Sequence, residues 1–316
     1  MKAIVLKEFG GVENLQLVDV EIPDVGEQEV LVKVKAISVN PVDVLTRAGT
    51  VGMSTLLEQY DPIILGWDFS GVIESVGENV KEYQVGDAVF GMVNFPGHGR
   101  AYAEYITVSV DQIALKPSNI THQAAAASML AALTAWQAFT SYGKLRSNDR
   151  VLIHAASGGV GHYAVQMAKY LGAYVIGISS TKNKEFVIQL GADEHIDYRS
   201  VKFEEEVSDI DFVLEAIGGD NFQKSVKVLK EFGTMVVLPS GYTEEDEVAA
   251  KAKQLHGSHF MCVYSSARDM KIIADLLEKG IIRAHISHVF DFKEMDKAHL
   301  QLENRNTVGK VVVCIS

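Results

Sequence analysis

Sulfur for cross-linking, positive charge and long apolar runs are all scarce in this chain, and each scarcity removes a class of protein. Only Cys262 and Cys314 occur among 316 residues, too few for a disulfide framework and in keeping with a reducing compartment. Lysine and arginine number 29 against 41 aspartates and glutamates, a formal charge of −12. That balance argues against a nucleic-acid or anionic-membrane surface, because phosphate binding needs clustered cations. No apolar stretch is long enough to span a bilayer. The start, Met1-Lys-Ala-Ile-Val-Leu-Lys-Glu-Phe9, enters a strand-like run without the pattern of a signal peptide, so a cytoplasmic protein is expected. Proline is sparse too, and of its 6 occurrences Pro23, Pro41, Pro62, Pro96 and Pro117 punctuate the first part of the chain. What remains is ordinary for a globular protein: 47% hydrophobic and 22% charged residues, at a length that suits two domains with sizeable cores.

Residues 1–122 carry short β patterns. Val30-Leu-Val-Lys-Val-Lys-Ala36 alternates valine with lysine, the period-two signature of a half-buried strand. Gly71–Val76, Gln84–Gly91 and Ala101–Val108 are further runs between Gly and Pro punctuation, a pattern that fits a small barrel or sandwich. From Thr121 the texture changes. Gln123 to Phe139 is alanine-rich and helical, with Thr121 as its N-cap. Strands near 151–155, 173–178, 194–198, 210–217, 234–239 and 259–264 then alternate with helices such as Asp220–Lys230, Glu244–His256 and Ala267–Glu278. Six such strands meet the requirement of a doubly wound parallel α/β sheet built from two mononucleotide halves. The acidic runs Glu204–Glu206 and Glu244–Glu247 suit solvated helix starts. The chain ends in β-like runs again, at Val289–Phe292 and Lys310–Ile315. The expected division is therefore 1–122 with 281–316 as a β-rich catalytic domain and 123–280 as an inserted nucleotide domain, with a cleft between them.

The stretch from Arg150 to Ser180 organises the second half. Val151–Ile153 reads as a buried strand after the turn-forming Ser147-Asn148-Asp149. Gly158, Gly159 and Gly161 crowd a tight turn. Val160, Ala164, Val165, Ala168 and Leu171 then recur at helical spacing until Gly172, and a second apolar strand follows. Glycine lets a backbone approach a dinucleotide pyrophosphate, and the positive helix end faces the anion. An NAD site usually places an acidic residue at the end of the second strand. Ser179-Ser-Thr-Lys-Asn-Lys184 offers none, and its hydroxyls and lysines suit a 2′-phosphate, so NADPH is the expected cofactor. The same residues also suit an N-cap and a solvated first turn.

Several motifs now stand in a fixed order: Met1-Lys-Ala3, Gly66-Trp-Asp-Phe-Ser-Gly-Val-Ile-Glu-Ser-Val-Gly77, Val85-Gly-Asp-Ala-Val-Phe-Gly91, Ala131-Ala-Leu-Thr-Ala-Trp136, Ala155-Ala-Ser-Gly-Gly-Val-Gly161 and Val308-Gly-Lys-Val-Val-Val313. Together they resemble the zinc-independent quinone oxidoreductase (zeta-crystallin-like) branch of the medium-chain dehydrogenases/reductases, end to end. The resemblance implies a chaperonin-like β-barrel catalytic domain, a Rossmann domain with a six-stranded parallel sheet, and a homodimer. Where the zinc branch of that superfamily places its first cysteine, this chain has Asn40. Where that branch places histidine before an acid stands Trp67 before Asp68, and Met129–Leu133 offers no third ligand. A catalytic zinc needs three such ligands, so no metal is expected.

Without a metal to polarise a carbonyl, hydride transfer to an unactivated ketone is harder. Quinones and α,β-unsaturated carbonyls delocalise the developing charge, leaving the protein to orient, exclude water and offer a hydrogen bond. The chemistry and the resemblance therefore both point to NADPH-dependent reduction of a quinone or enone. By resemblance Asn40 lies near the nicotinamide, where its amide is a catalytic candidate. The branch's following tyrosines are replaced by Leu45 and Val51, which leaves Tyr60 as the other catalytic candidate. Phe95, His98 and Tyr102 suit the mouth of the site. The resemblance assigns Thr134 to the nicotinamide end and Ser157, Gly158, Gly159, Val160 and Gly161 to the pyrophosphate. It assigns Ser180, Lys184 and Tyr198 to the 2′-phosphate, with Lys182 and Arg199 as substitutes, and adds Leu238, Ser240, Phe260 and Lys310. Two alternatives stand beside this reading: an enone or carbonyl reductase for which quinones are incidental, and a non-catalytic NADPH-binding sensor or structural protein.

Overall fold

The computed structural model describes residues 1–238 and 243–315. By contact the chain forms two compact units, Met1–Leu133 together with the chain from Val263 onward, and Thr134–Cys262.

In the first unit the strands are β1 (Lys2–Leu6), β2 (Leu15–Asp19), β3 (Glu29–Val39), β4 (Ile63–Ile64), β5 (Asp68–Val76), β6 (Ala88–Met92), β7 (Tyr105–Ser109) and β8 (Ile113–Leu115). β3 is the longest, and its alternation works as read: Val30, Val32 and Val34 are buried while Lys33 and Lys35 are half-buried. It pairs antiparallel with β5 and β7, and its register against β5 shifts twice, at Leu31/Val32 and Val34/Ala36. Such irregularities sharpen twist and let a sheet curl toward a barrel.

The second unit contributes β9 (Arg150–Ile153), β10 (Tyr174–Ser179), β11 (Glu194–Asp197), β12 (Ile210–Glu215), β13 (Leu229–Val237) and β14 (Gly257–Phe260). All pair in parallel, in the order β11-β10-β9-β12-β13-β14, the doubly wound six-stranded sheet expected from the sequence. Val151, Leu152 and Ile153 are fully buried, which is why this run is continuously apolar rather than alternating. β13 starts at Leu229, earlier than the pattern suggests, and β14 ends at Phe260, earlier than the expected 264.

The chain then returns to the first unit as β15 (Ile286–Asp291) and β16 (Lys310–Cys314). β16 lies between β15 and β3, closing the path β15-β16-β3-β5-β6-β8. A three-stranded sheet, β2-β1-β4, completes this unit.

The observed units differ from the expected 1–122 with 281–316 and 123–280, for a physical reason. Helix His122–Ala127 packs on β3, β5 and β16 through Ala125, Ala126 and Ala127, all fully buried. Helix Ala267–Glu278 packs on β8. Both follow the barrel's contacts rather than their place in the strand–helix alternation. The single helix expected over 123–139 is also divided, into His122–Ala127 and Met129–Gln137, with a π-helical turn Ala138–Tyr142 after it. Thr121 caps it as expected, its Oγ1 accepting from the Ala124 N–H at 3.1 Å.

Candidate functional site

In the nucleotide unit the chain leaves β9 and reverses at Ala155, whose φ is +49°. Gly158 ends the turn in extended conformation, and helix Gly159–Tyr170 begins directly after it, with Val160 in its first turn. Gly161 is dictated by space: a Cβ there would lie 2.1 Å from the Ala155 carbonyl oxygen. Backbone N–H groups at the start of a twelve-residue helix, with glycine at 158, 159 and 161, fit a dinucleotide pyrophosphate. Ser157, 8% exposed, accepts from Asn183 Nδ2 at 2.9 Å, which ties this turn to the segment after β10.

That segment holds the residues expected around the ribose. Ser180 is buried, and Lys182 and Lys184 are exposed. Tyr198 follows β11, its N–H directed at the Ser179 carbonyl at 3.4 Å, and the Arg199 guanidinium lies over its ring. Lys184 acts on His195, whose Nε2 is 2.8 Å from Ser179 Oγ; burial first, then this positive charge, lowers the imidazole. Sequence reasoning missed Asp197. It pairs with Ser179 in register and accepts from Thr181 Oγ1 and, at 2.7 Å, from Ser200 Oγ. These hydroxyls and the Arg199 N–H hold its carboxyl down to about 2. Its signal lay on the third strand, while the acid of an NAD site was sought on the second.

Leu238 follows β13, its N–H bonded to the Glu215 carbonyl at 2.9 Å. Glu215 itself is fully buried, and its carboxylate accepts from the N–H groups of Ile217 (2.7 Å) and Gly218 (3.0 Å) and from Ser225 Oγ (2.8 Å). His154 Nε2 is 3.0 Å from Ser225 Oγ and 3.3 Å from the carboxylate, so the end of β9 and the loop after β12 share one buried network. Desolvation pushes His154 down against the pull of Glu215. Thr134 is 5% exposed in helix Met129–Gln137. Ser240 lies outside the described residues, and so does the side chain of Phe260.

In the barrel unit the structure brings Asn40 and Lys310 together. Asn40 Oδ1 accepts from Lys310 Nζ, and its Nδ2 donates to Asp68 Oδ2 at 2.8 Å and to the Ser38 carbonyl at 3.3 Å. Asp68 Oδ1 accepts from the Leu130 N–H at 2.8 Å, and Lys310 Nζ stands 4.0 Å from Asp68 Oδ2. Asp43, one turn into helix Pro41–Arg47, accepts the Asn40 N–H at 2.6 Å. Asn40, Asp43, Asp68 and Lys310 are each at most 2% exposed. Desolvation raises Asp43 to about 7 and Asp68 to about 6, the latter against the pull of Lys310 and Asn40. Desolvation likewise lowers Lys310, opposed by Asp68 and Asp43. Tyr102 borders this group, its hydroxyl acting on Asp43 and lying 3.0 Å from His299 Nε2. Desolvation, then the Arg47 charge, lowers His299 to about 3, so the imidazole is neutral. The signal for this cluster was a lone lysine and a lone aspartate inside apolar strands, since a buried charge must be paired.

Tyr60 stands elsewhere. It is 39% exposed, its ring centroid 4.2 Å from that of His98, in a groove of about 600 Å³ with Phe95, Pro96 and Arg100. Burial and Arg100 lower His98 to about 4. Among the described residues no group of three or more His, Cys, Asp or Glu is placed to hold a metal, and no helix is long and apolar enough to cross a membrane.

A GroES-like barrel joined to a doubly wound nucleotide unit is the architecture of the medium-chain dehydrogenases/reductases. Residues 26–118 match the family described as Alcohol dehydrogenase GroES-like domain, and residues 190–313 the one described as Zinc-binding dehydrogenase. The chain is 34% identical to the mouse mitochondrial NAD(P)H oxidoreductase RTN4IP1, over 99% of this chain and 89% of that one. It is 31% identical to pig quinone oxidoreductase, over 100% and 98% of the two chains, and 33% identical to tomato 2-methylene-furan-3-one reductase, over 99% and 79%. The quinone oxidoreductase of Coxiella burnetii superposes with a TM-score of 0.94 at 35% identity, covering 100% of this chain and 99% of that one. Escherichia coli quinone oxidoreductase complexed with NADPH gives 0.87 at 26%, with both chains fully covered. The chain belongs to the quinone oxidoreductase branch of the medium-chain dehydrogenase/reductase superfamily and is an NAD(P)H-dependent oxidoreductase.

Proposed function

We propose that the protein reduces quinones or α,β-unsaturated carbonyls with NADPH and without a metal, as a homodimer. The observation that carries this reading is what stands at the metal branch's first-cysteine position and at the acid after its histidine position. Asn40 and Asp68 are bonded to each other, and an ammonium already stands against both. A second cation there would meet Lys310. Acceptors that delocalise negative charge need no Lewis acid, only orientation, a dry site and a hydrogen-bond donor.

The turn Ser157–Gly161 is assigned to the pyrophosphate, Ser180, Lys184 and Tyr198 to the 2′-phosphate, and Thr134 to the nicotinamide end, with Leu238, Ser240 and Phe260 completing the assignment. Bound there, the dinucleotide supplies the hydride. Asn40 orders the barrel side by holding Asp68 and Lys310, and Tyr60 is assigned to the substrate's approach. One observation favours a second reading, NADH: Asp197 beside the end of β10 is an acid within reach of Thr181. Lys184→Ala decides between them. NADPH affinity should fall about 10-fold, roughly one charge-assisted hydrogen bond, with NADH affinity unchanged; equal loss for both removes the 2′-phosphate assignment. Oxidation of NADPH by an ortho-quinone, a para-quinone and a simple enone, but not by a saturated ketone, tests the reaction, and tight binding without turnover sinks it. Light scattering that gives a monomer refutes the homodimer.

A further inference from the structure

Asn40 has no donor left to give. Its two amide hydrogens go to Asp68 and to the Ser38 carbonyl, and its oxygen is taken by Lys310. A primary amide has only two N–H donors, so this one cannot also serve a substrate oxygen without giving up a buried partner. Lys310 differs. Its ammonium carries three N–H donors, of which one is committed to Asn40, while Asp68 at 4.0 Å is an ion pair beyond hydrogen-bond distance. Lys310 opens β16, and the pairing of Val311 with Val39 sets it beside the residue that precedes helix Pro41–Arg47. The ammonium therefore stands against both Asn40, at the position of the metal branch's first cysteine, and Asp68, next to the Trp67 that stands where that branch has its histidine.

We infer that Lys310, rather than Asn40, is the catalytic donor: its ammonium stabilises the negative charge that the substrate oxygen gains on reduction, and Asn40 and Asp68 are positioning residues that hold it. This rests on the proposed quinone or enone reduction. A fixed cation in a desolvated site acts far more strongly than one in water, and its burial is what gives the charge reach.

The test uses a ligand that reports charge without turnover. 4-Nitrophenol, titrated into the protein below the phenol's own pKa, should bind as its coloured phenolate. In Lys310→Met the bound phenolate fraction should fall at least about 10-fold while circular dichroism is unchanged; NADPH-dependent turnover should fall about 100-fold, the usual loss for one oxyanion donor. Lys310→Ala with added ethylamine should regain the phenolate signal, which holds the test open if the methionine variant fails to fold. Asn40→Ala should lower the signal less than Lys310→Met. Absence of a phenolate signal in the wild type, or its survival in Lys310→Met, overturns the inference. The phenolate signal with no turnover of any quinone or enone overturns the proposed reaction and leaves the anion site standing.

Discussion

The two units hold their polar groups in opposite ways. The barrel buries ionic side chains against one another: Lys310 and Asp68 stand 4.0 Å apart at 2% and 0% exposure, with Asn40 bridging them. The nucleotide unit leaves Lys182, Lys184 and Arg199 exposed, and the turn proposed for the pyrophosphate offers backbone at the start of a helix. Even its buried carboxylate, Glu215, is satisfied by two backbone N–H groups, a hydroxyl and an imidazole rather than by a lysine or arginine. A ligand that brings its own phosphates needs waiting donors at the surface. A substrate that develops charge only during reaction needs a charge fixed beforehand, and fixing it requires partners inside the protein.

The sharpest way to break this contrast is Asp68→Ala. It strands the Lys310 ammonium, and losing one partner of a buried ion pair costs about 4 kcal/mol. Thermal unfolding should drop by roughly 10 °C; a drop under about 2 °C would mean that the pair is not dry. Gly161→Val comes next. Its side chain meets the Ala155 carbonyl, where a Cβ alone lies at 2.1 Å. Dinucleotide affinity should fall at least about 100-fold, near 3 kcal/mol, in calorimetric titration, and unchanged affinity would show that the turn is not the phosphate site.

The smallest effect is a pH dependence. Asp43 is raised from 3.8 to about 7 in the folded state. Its contribution to stability is therefore complete below about pH 4 and is lost as pH rises through 7. Asp68, raised to about 6, acts with the same sign. Asp43→Asn keeps the shape and removes one titration, so the variant should gain on the wild type by about 2 kcal/mol between pH 5 and 7. Parallel melting temperatures across that range would place Asp43 in water.

The nucleotide unit was legible in the sequence because its signals are local. The glycines of the turn, the apolar β9 and the helical spacing after them lie within some thirty residues, and the six-stranded sheet follows from repeating that unit. The cluster in the barrel was not. Asn40 and Lys310 each stood out alone, but the bond between them spans 270 positions and exists only because β16 pairs with β3 across the whole inserted unit. Tyr60 shows the converse. An aromatic in a loop was legible as a residue, yet nothing in the sequence said that its ring would lie on His98 instead of beside Asn40. Helices His122–Ala127 and Ala267–Glu278 were drawn correctly as helices and assigned to the wrong neighbour, since alanine faces do not announce which sheet they cover.

The place of β16 in the chain has a consequence for synthesis. Strands β3 and β5, with Asp43 and Asp68, emerge from the ribosome long before Lys310, and the whole of Thr134–Cys262 is made in between. Until the last strand arrives, the barrel has two carboxylates to bury and no ammonium to set against them. The nucleotide unit, complete in one continuous segment, is free to fold first, as segments generally do while the rest is still being made. A ribosome stalled a few residues short of Lys310 therefore carries the whole of the nucleotide unit's sequence, while the barrel still lacks the cation of its charge network.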